Sequence, residues 1–553
     1  MMEYIEKTLG KIIQDLAEER PDGLAFDFAD RSYRRTWKEF DEETTLIAKG
    51  FMALGVEKGD KISMWATNTP EWVLTLFASA KIGAILVTVN TNYKVFELEY
   101  LLNQSDTKIL VMMDRFKDSD YVGIVRELLP ELGKDGTVQN SRLPELKRII
   151  YSTPGEAPEG MMPFDKLKEL GRNVSDEEYR ERYEGLDYHD IVNMQYTSGT
   201  TGFPKGVMLT HYNIVNNGKC IGDGMRFGNE DKLLICVPFF HCFGLVLAIM
   251  AAITHGTAMV PIDHYSPVPV MRAITEKKCT AIHGVPTMFI AMLEHADFDK
   301  YDFSSLRTGI MAGSPCPVEV MNKVVERMNM KEIVIVFGQT EASPGCTMTT
   351  TNDSLERRVA TVGRAFPGVE CKIIDPETGE EQPRGKAGEF CARGYNIMKG
   401  YYKMPEATAQ AIDENGWLHS GDLCTEDEEG YFKVVGRIKD MIIRGGENIY
   451  PKEIEEFLYT LPQISDVQVV GVPSVQYGEE VMAFIVLKQG ESLTEEEVKN
   501  AVRENMARHK VPKYVSFVEK FPVTASGKIQ KFKLREQAIE LLRLQDAANI
   551  ETA

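Results

Sequence analysis

The sequence predicts an α/β protein with a large N-terminal body of layered, mostly parallel sheets covered by helices, and a small, separate α+β C-terminal domain. Through residues 1–430, short strand-like runs alternate with longer helical patterns, an order typical of βαβ units and parallel sheets. Near residues 436–440 the pattern changes, and a mixed series of strands and helices follows. The predicted domains are therefore 1–438 and 439–553.

The individual elements follow from apolar periodicity. In the body, KISMWAT precedes the helical EWVLTLFASAKIG, ILVTV precedes FELEYLLNQS, and KILVMM precedes YVGIVRELLPEL. The N-terminal MMEYIEKTLGKIIQDLAEER predicts an amphipathic helix, and the charged, Gly- and Pro-rich segment Pro154 to Asp190 predicts a surface excursion. After residue 440 the predicted order is MIIRG, the helix at PKEIEEFLYTL, VQVVGVP, VMAFIVLK, the helix at TEEEVKNAVRENM, YVSFVE, and a terminal helix from about Lys531.

Composition excludes several classes of protein. The chain has 553 residues, 43% hydrophobic and 26% charged, as ordinary globular proteins do. A net charge of -20 disfavours nonspecific binding to nucleic acid or anionic lipid. Nine cysteines without a C-x-x-C pair predict reduced thiols. The apolar run from Leu233 to Ile253 is interrupted by Pro238, His241 and Gly244, which indicates a strand, a loop and a buried helix. We expect a cytoplasmic protein without an integral membrane segment; a homodimer is compatible with the sequence.

The most informative motif is YTSGTTGFPKG at 196–206. Its glycines allow close approach of a ligand, its hydroxyls and amides can donate to phosphate oxygens, and Lys205 adds a positive charge. The motif is not a Walker A loop, because Pro204 stands directly before the lysine. The sequence therefore predicts a phosphate cradle, against the alternative of a flexible surface linker.

This motif resembles the signature of the adenylate-forming superfamily of acyl-CoA synthetases, aryl-CoA ligases, luciferases and peptide-synthetase adenylation domains. Further matches follow in the family's order: MAGSP at 311–315, FGQTE at 337–341, HSGD at 419–422, GRIKDMIIRGGENIYP at 436–451 and PVTASGK at 522–528. The resemblance spans essentially the whole chain and is strongest to the medium-chain acyl-CoA synthetases. It implies ATP, Mg²⁺, coenzyme A and a small carboxylic acid as ligands.

The resemblance assigns roles residue by residue. Phe337, where many relatives have Tyr, lies along adenine, Thr340 contacts the α-phosphate, and Glu341 holds Mg²⁺. A lone carboxylate suffices, because Mg²⁺ keeps several waters. Asp422, read as standing at a strand end, takes the ribose hydroxyls, with Arg437 beside it. The full nucleotide set is Thr197, Ser198, Gly199, Thr200, Thr201, Gly202, Lys205, Gly313, Ser314, Phe337, Gly338, Gln339, Thr340, Asp422, Arg437 and Lys528.

The C-terminal matches imply a moving catalytic group. Lys528 bridges the carboxylate and the nucleotide, where positive charge is needed because two anions must meet. Lys439 matches the hinge, and Gly445 and Gly446 line the path of the pantetheine arm, although R-G-G-E-N is also good hairpin chemistry. His509 stands where relatives more often have Tyr or Phe.

The acyl pocket is predicted from His241, Leu245, Val246, Ile249 and Gly284. Their apolar surroundings favour an aliphatic monocarboxylate of short to medium length. Isolated histidines in apolar runs are often core residues, so a purely structural role in the core is the alternative for His241. The catalytic set is Lys528, Thr340, Glu341 and His241.

The sequence therefore predicts an AMP-forming acyl-CoA synthetase that works through an acyl-adenylate. The alternative within the superfamily is an aryl-CoA ligase. A peptide-synthetase loading domain would need an acidic partner for the substrate amine and usually a carrier domain after Lys528. A luciferase-like monooxygenase would emit light with luciferin, and a noncatalytic nucleotide-binding scaffold would not need Thr340, Glu341, Lys205 and Lys528 together.

Overall fold

Two open sheets form the frame of the body. The computed structural model describes residues 3–130, 132–133, 136–138, 140, 142–197, 204–313, 316–444, 447–474, 477–506, 508–524 and 529–544. Sheet A has seven strands in the order Glu332–Val334, Thr308–Ile310, Ala281–Ile282, Lys232–Ile235, Ala258–Pro261, Leu24–Asp27 and Arg34–Thr36. Sheet B has eight strands in the order Gly400–Tyr401, Lys205–Thr210, Ile191–Thr197, Ile85–Thr88, Lys61–Trp65, Thr107–Met112, Arg148–Tyr151 and Met162–Pro163. The predicted mostly parallel, layered α/β body is confirmed.

Antiparallel pairing is confined to one edge of each sheet. In sheet A, Leu24–Asp27 runs antiparallel to Arg34–Thr36. In sheet B, Ile191–Thr197 runs antiparallel to Lys205–Thr210, which pairs in turn with Gly400–Tyr401. Every other strand pair of the two sheets is parallel. The antiparallel edge of sheet B carries the predicted phosphate cradle.

Helices cover the sheets of the body. The α-helices are Leu9–Glu19, Trp37–Ala53, Pro70–Lys81, Val95–Gln104, Tyr121–Leu128, Lys166–Gly171, Asp176–Glu184, His211–Met225, Ala251–Ile253, Pro267–Lys277, Pro286–Leu293, Val318–Arg327, Leu355–Ala360 and Pro405–Ala411. Their starts follow capping chemistry: Thr36 accepts from the backbone N–H of Glu39 and the Glu39 side chain accepts from that of Thr36. Pro70 opens a helix that is buried along most of its length. Local sequence therefore fixes where these helices begin.

The segment 154–190 is mostly exposed, as predicted, but it has regular structure and a buried anchor. It contains the edge strand Met162–Pro163 and the helices Lys166–Gly171 and Asp176–Glu184. Leu167 is completely buried, and its carbonyl lies so close to Gly50 that a side chain there would clash. The segment is part of the packed body, because a few apolar residues anchor an otherwise charged stretch.

Smaller antiparallel sheets close the body and form the core of the C-terminal region. Sheet C contains Val336–Gly338, Gly345–Met348 and Arg364–Ala365, and sheet D contains Val369–Ile374, Gly388–Gly394, Leu418–Glu426 and Phe432–Arg437. Sheet E contains Glu447–Ile449, Ile442–Arg444, Gly478–Leu487 and Ile464–Ser474, with Tyr514–Phe517 parallel to Gly478–Leu487. The C-terminal α-helices are Pro451–Leu458, Glu495–Asn505 and Lys531–Leu541. These elements match those that the sequence predicts after residue 440.

The buried apolar residues fall into separate clusters on either side of position 439. Two clusters contain only residues up to Phe432, and two others contain only residues from Ile442 onward. All nine cysteines are free, as predicted. The apolar run at 233–253 forms a strand, a loop and a buried helix, and no helix in the described ranges has the length and hydropathy to cross a bilayer.

Candidate active site

The predicted phosphate cradle lies in sequence between two neighbouring strands of sheet B. Thr197 ends one strand, Lys205 begins the next, and the two residues are paired directly. The hydroxyl of Tyr100 donates to the carbonyl of Pro204 at 3.1 Å, which anchors the end of the connection. Ser198, Gly199, Thr200, Thr201 and Gly202 lie outside the residues that the structure describes.

Lys205 lies against an aromatic side chain that the sequence did not single out. Its Nζ is 4.7 Å from the ring centroid of Tyr401, at cation–π distance. The backbone places the two together because Val207 pairs with Tyr401 across sheet B. The lysine is thereby directed along the edge of the sheet.

The FGQTE motif turns sharply after a strand of sheet C. Gly338 has a φ of 154°, and a Cβ there would fall 1.9 Å from the carbonyl oxygen of Pro344, so only glycine fits. Thr340 begins a short 3₁₀ helix, Thr340–Ala342, and is nearly buried. The Glu341 carboxylate accepts a 2.7 Å hydrogen bond from the hydroxyl of Tyr401. Tyr401 therefore contacts both Glu341 and Lys205.

The sequence suggested that Asp422 stands at a strand end, but the structure places it elsewhere. It lies within the strand Leu418–Glu426, opposite Arg437 on the neighbouring strand Phe432–Arg437. Asp422 is 4% exposed and accepts a 2.8 Å hydrogen bond from Nε of Arg437. The Asp422 carboxylate raises the pKa of Arg437, and Glu341 contributes in the same direction. Asp422, Arg437 and Glu341 thus belong to one electrostatic cluster.

A small hollow lies between Phe337 and this cluster. It is lined by Phe337, Gly338, Gln339, Cys346, Phe390, Ala392, Leu418, Ser420 and Asp422. The Phe337 ring meets Phe390 edge to face, with the centroids 5.1 Å apart. Aromatic rings and a carboxylate are the kinds of group that contact a nucleobase and a ribose.

Gly313 has a positive φ of 86°, and a Cβ there would press on Val285. Ser314, its neighbour in the MAGSP motif, is not among the described residues. Gly313 follows Ala312, which is bonded to the HGVPT segment: the N–H of Ala312 donates to the carbonyl of Gly284 at 3.3 Å. The predicted adenine-side and acyl-side motifs are therefore adjacent.

His241 stands at the entrance of an unusual helix. Residues Phe243–Met250 form a π-helix in which every residue is buried. The N–H of Phe243 donates to Nδ1 of His241 at 3.1 Å, and the neighbouring Cys242 Sγ lies 3.6 Å from Oγ1 of Thr340. His241 is partly exposed. The structure therefore connects the histidine motif with FGQTE.

A second histidine supports the same helix from its buried side. His283 is completely buried, its Nε2 lies 3.0 Å from the carbonyl oxygen of Leu247, and the N–H of Ile310 donates to its Nδ1 at 3.2 Å. The backbone donor at Nδ1 assigns the proton to Nε2, which donates to Leu247. Burial lowers the pKa of His283 to about 4. His283 is a neutral structural residue.

The remaining acyl-side residues are buried. Leu245, Val246 and Ile249 have no exposed surface, and the N–H of Gly284 donates to the carbonyl of Ile310 at 3.0 Å. An acyl chain in this region would be surrounded by aliphatic side chains of the π-helix. Their assignment to an acyl pocket stays a prediction.

The structure describes only some of the C-terminal residues that the sequence assigned to the site. Lys439 lies in the 3₁₀ helix Ile438–Asp440, and His509 lies in the 3₁₀ helix Arg508–Lys510. Gly445, Gly446 and Lys528 fall in ranges that the structure leaves undescribed. The strands Ile442–Arg444 and Glu447–Ile449 pair on either side of the two glycines, in the hairpin register that R-G-G-E-N favours.

The donor chemistry suits a hard cation with few protein ligands. The Glu341 carboxylate accepts a hydrogen bond from the neutral hydroxyl of Tyr401, whereas the Asp422 carboxylate is engaged by the charged Arg437. Mg²⁺ is usually held by one or two carboxylates and by phosphate oxygens. The residues present therefore fit Mg²⁺ delivered with ATP.

Comparisons with known proteins identify the family of the chain. The model described as AMP-binding enzyme matches residues 13–402, and the model described as AMP-binding enzyme C-terminal domain matches residues 453–528. The first match covers more than half of the chain, which therefore belongs to the AMP-binding enzyme family.

Individual relatives narrow the class of enzyme within this family. Putative acyl-CoA synthetase YngI of Bacillus subtilis is 52% identical over 549 residues, covering 99% of this chain and 100% of YngI. The mitochondrial medium-chain acyl-CoA ligase ACSF2 of Bos taurus is 40% identical, covering 97% of this chain and 88% of that protein. The predicted superfamily and the predicted enzyme class, an AMP-forming carboxylate–CoA ligase, are confirmed.

Solved structures share the fold over nearly the whole chain. The anthranilate CoA ligase AuaEII in complex with anthranoyl-AMP has a TM-score of 0.85 at 25% identity and covers 98% of both chains. ATP-bound MatB from Rhodopseudomonas palustris has a TM-score of 0.82 at 27% identity, covering 96% of this chain and 99% of MatB. The two-domain architecture is therefore shared with adenylate-forming enzymes.

Proposed function

We propose that the chain joins a short- to medium-chain fatty acid to coenzyme A, with ATP as the energy source and acyl-AMP as the intermediate. One observation carries the proposal: Tyr401 contacts both Lys205 and Glu341, and Glu341 and Asp422 both raise the pKa of Arg437, next to a small hollow lined by Phe337 and Asp422. Such a cluster offers separate partners for a phosphate chain, its cation and a ribose. A structural protein would have no need of this arrangement.

In the first step, the acid's carboxylate oxygen attacks the α-phosphorus of ATP and pyrophosphate leaves. Two anions must approach, so positive charge and positioning supply most of the catalysis. Lys205 and Lys528 would provide the charge, the hydroxyl of Thr340 would meet the α-phosphate, and Asp422 would hold the ribose. When bound at Glu341, Mg²⁺ would neutralise phosphate charge.

In the second step, the CoA thiol attacks the acyl carbon, the thioester forms, and AMP leaves with the former carboxylate oxygen. Lys528 would obstruct this step if it stayed beside the nucleotide, so we propose that the C-terminal domain, 439–553, rotates about Lys439. Gly445 and Gly446 would then line the path of the pantetheine arm. The separate apolar cores on either side of position 439 support this boundary.

The proposed acid is aliphatic because the π-helix offers only buried apolar side chains, among them Leu245, Val246 and Ile249. The medium-chain ligase among the relatives supports the same class. The second candidate is an aromatic acid, favoured by the structural similarity to the anthranilate CoA ligase.

A pyrophosphate-release assay with graded acids, from acetate through octanoate to palmitate, together with benzoate and anthranilate, separates the candidates. Each buried methylene contributes about 0.8 kcal/mol, so kcat/KM should rise about fourfold per carbon until the pocket ends. We expect octanoate to exceed acetate, palmitate and both aromatic acids, and AMP to form only with a productive acid. Preference for benzoate or anthranilate would select the aryl-CoA ligase, and the absence of AMP with every acid would contradict the proposal.

A further inference from the structure

A strap of residues 395–402 connects the two charged motifs of the site. On one side, the N–H of Met398 donates to the carbonyl of Glu341 at 2.9 Å. On the other side, the N–H of Lys399 donates to Met208 at 3.0 Å and that of Tyr402 to Gly206 at 2.8 Å, both in the strand that begins at Lys205. The strap therefore fixes the distance between the FGQTE turn and the phosphate cradle.

The buried side of the strap is also bonded. The side-chain amide of Asn396 donates to the carbonyls of Ala342 at 3.2 Å and Gly345 at 2.9 Å, on either side of the turn that follows Glu341. The hydroxyl of Ser343 donates to the carbonyl of Asn396 at 2.6 Å. Because the turn is bonded from several directions, the backbone of Glu341 is held in place.

Tyr401 is the side chain through which the strap contacts both charges. It is 7% exposed, its hydroxyl donates to Oε1 of Glu341 at 2.7 Å, and its ring lies 4.7 Å from Nζ of Lys205. The N–H of Tyr401 donates to Oγ1 of Thr408 at 2.9 Å, which fixes the base of the side chain. One phenol thus meets an anion with its hydroxyl and a cation with its ring.

We propose that Tyr401 is a positioning residue for MgATP, an inference that rests on the proposed function. Its hydroxyl orients the Glu341 carboxylate toward the cation that accompanies the triphosphate. Its ring lies beside Lys205 and keeps the lysine from pairing directly with Glu341 while the site is empty. Opposite charges on flexible side chains pair when nothing separates them, and such a pair would mask both partners of MgATP.

Two variants separate the functions of the hydroxyl and the ring. Tyr401→Phe removes only the hydrogen bond to Glu341, whereas Tyr401→Leu also removes the ring beside Lys205. The matched control is Tyr402→Phe, because the hydroxyl of Tyr402 donates to Asp106 at 2.7 Å, away from Glu341 and Lys205. Circular dichroism and melting curves confirm that each variant is folded.

The readout is ATP–pyrophosphate exchange with a saturating acid, titrated with free Mg²⁺ at fixed ATP and then with MgATP at saturating Mg²⁺. For Tyr401→Phe we expect about a tenfold rise in the Mg²⁺ concentration at half-maximal rate, the effect of losing one hydrogen bond to a charged group. Its kcat at saturating Mg²⁺ should remain within a few-fold of the wild type. Tyr401→Leu should also raise KM for MgATP at saturating Mg²⁺, and Tyr402→Phe should change neither quantity.

A Mg²⁺ titration of folded Tyr401→Phe that superimposes on an active wild type would overturn the inference while leaving the proposed function intact. An equal loss of kcat at every Mg²⁺ concentration would also overturn it, since that result indicates a general structural defect. If the wild type makes no AMP from any acid, the proposed function is contradicted instead.

Discussion

The contacts within the body of this chain differ from the contacts between the body and the C-terminal region. Within the body, Thr340 and Asp422 are buried, and the strap at 395–402 bonds distant motifs to one another. Between the two regions, the contacts include polar ones at partly buried and exposed positions. Nζ of Lys452 donates to the carbonyl of Val434 at 3.1 Å, and the hydroxyl of Ser465 donates to the Glu294 carboxylate at 2.9 Å.

This difference indicates a division of labour. Polar surface contacts contribute little net stability and can be exchanged for water, whereas a buried cluster resists rearrangement. A fixed body suits the binding of ATP and the acid, which must stay in place through two reactions. A domain whose contacts can be exchanged for water would suit groups that are needed in only one of them.

The largest expected effect is a loss of rate in the first half-reaction only. Lys528→Ala should lower acid-dependent ATP–pyrophosphate exchange about a thousandfold, the upper effect of removing one preorganised charge donor. Thioester formation from supplied acyl-AMP and CoA should stay within a few-fold of the wild type, because the lysine is not required there. Lys520→Ala, an exposed lysine eight positions earlier, is the matched control and should change neither half-reaction. Equal losses in both half-reactions would refute the division.

The next effect concerns pH, and the two regions should respond in opposite directions. Burial lowers the pKa of His283 in the body to about 4, below its ordinary 6.5. The unfolded chain therefore takes up the proton first, and stability that is present above pH 6.5 is lost as pH falls toward 4. The loss amounts to about 3 kcal/mol.

The body's unfolding can be followed separately, because all four tryptophans, at 37, 65, 72 and 417, precede position 439. Urea titrations monitored by tryptophan fluorescence at pH 7 and pH 4 should show this loss for the wild type. The pH dependence should shrink in His283→Gln but persist in His189→Gln, which changes an exposed histidine. Identical pH dependence in the wild type and His283→Gln would show that the buried histidine does not contribute.

In the C-terminal region, burial raises the pKa of Asp466 to about 6, above its ordinary 3.8. The folded state therefore keeps the proton, and stability that is present below pH 3.8 is lost as pH rises through 6, again by about 3 kcal/mol. Amide hydrogen exchange in the strand Gly478–Leu487 should accordingly speed up between pH 4 and pH 7, after correction for intrinsic rates. Asp466→Asn should remove this change, and a slowing of corrected exchange over the same range would contradict the assignment.

The smallest expected effect tests the fixed site. Asp422→Asn weakens the charged pair with Arg437 and the acceptor for the ribose, so KM for ATP should rise about thirtyfold, equivalent to about 2 kcal/mol. KM for the acid should change much less. Glu377→Gln, at the exposed turn after the strand Val369–Ile374 of sheet D, serves as the control. A larger change in KM for the acid than in KM for ATP would place Asp422 elsewhere in the site.

Sequence patterns predicted the elements whose signals are local. Apolar periodicity located the strands and helices, and the C-terminal order was correct from Ile442 to the helix at Lys531. The charged segment 154–190 is mostly exposed, as predicted, but its helices and its anchor at Leu167 were not predicted, because the few apolar residues are hidden among polar ones. The π-helix was predicted only as a buried helix, since its hydrogen-bond register leaves no compositional trace.

Site assignments that depend on pairing between distant strands could not be predicted. Asp422 was read as a strand-end carboxylate, but its strand continues to Glu426, because the neighbouring strand Phe432–Arg437 pairs with it from Asp422 to Glu426. Tyr401 was missed, since its contact with Lys205 depends on the register between two strands almost 200 positions apart. The KGYY run at 399–402 offered only adjacent aromatics near a glycine, which is common in surface turns.

The central claim is that the acid is activated by its own oxygen attacking the α-phosphorus of ATP. Single turnovers with octanoate labelled in both carboxylate oxygens with ¹⁸O, followed by mass spectrometry of the nucleotide, test it directly. We predict one ¹⁸O atom in each AMP released after CoA is added and none in pyrophosphate. Unlabelled AMP, or label in pyrophosphate or phosphate, would show that no acyl-adenylate forms.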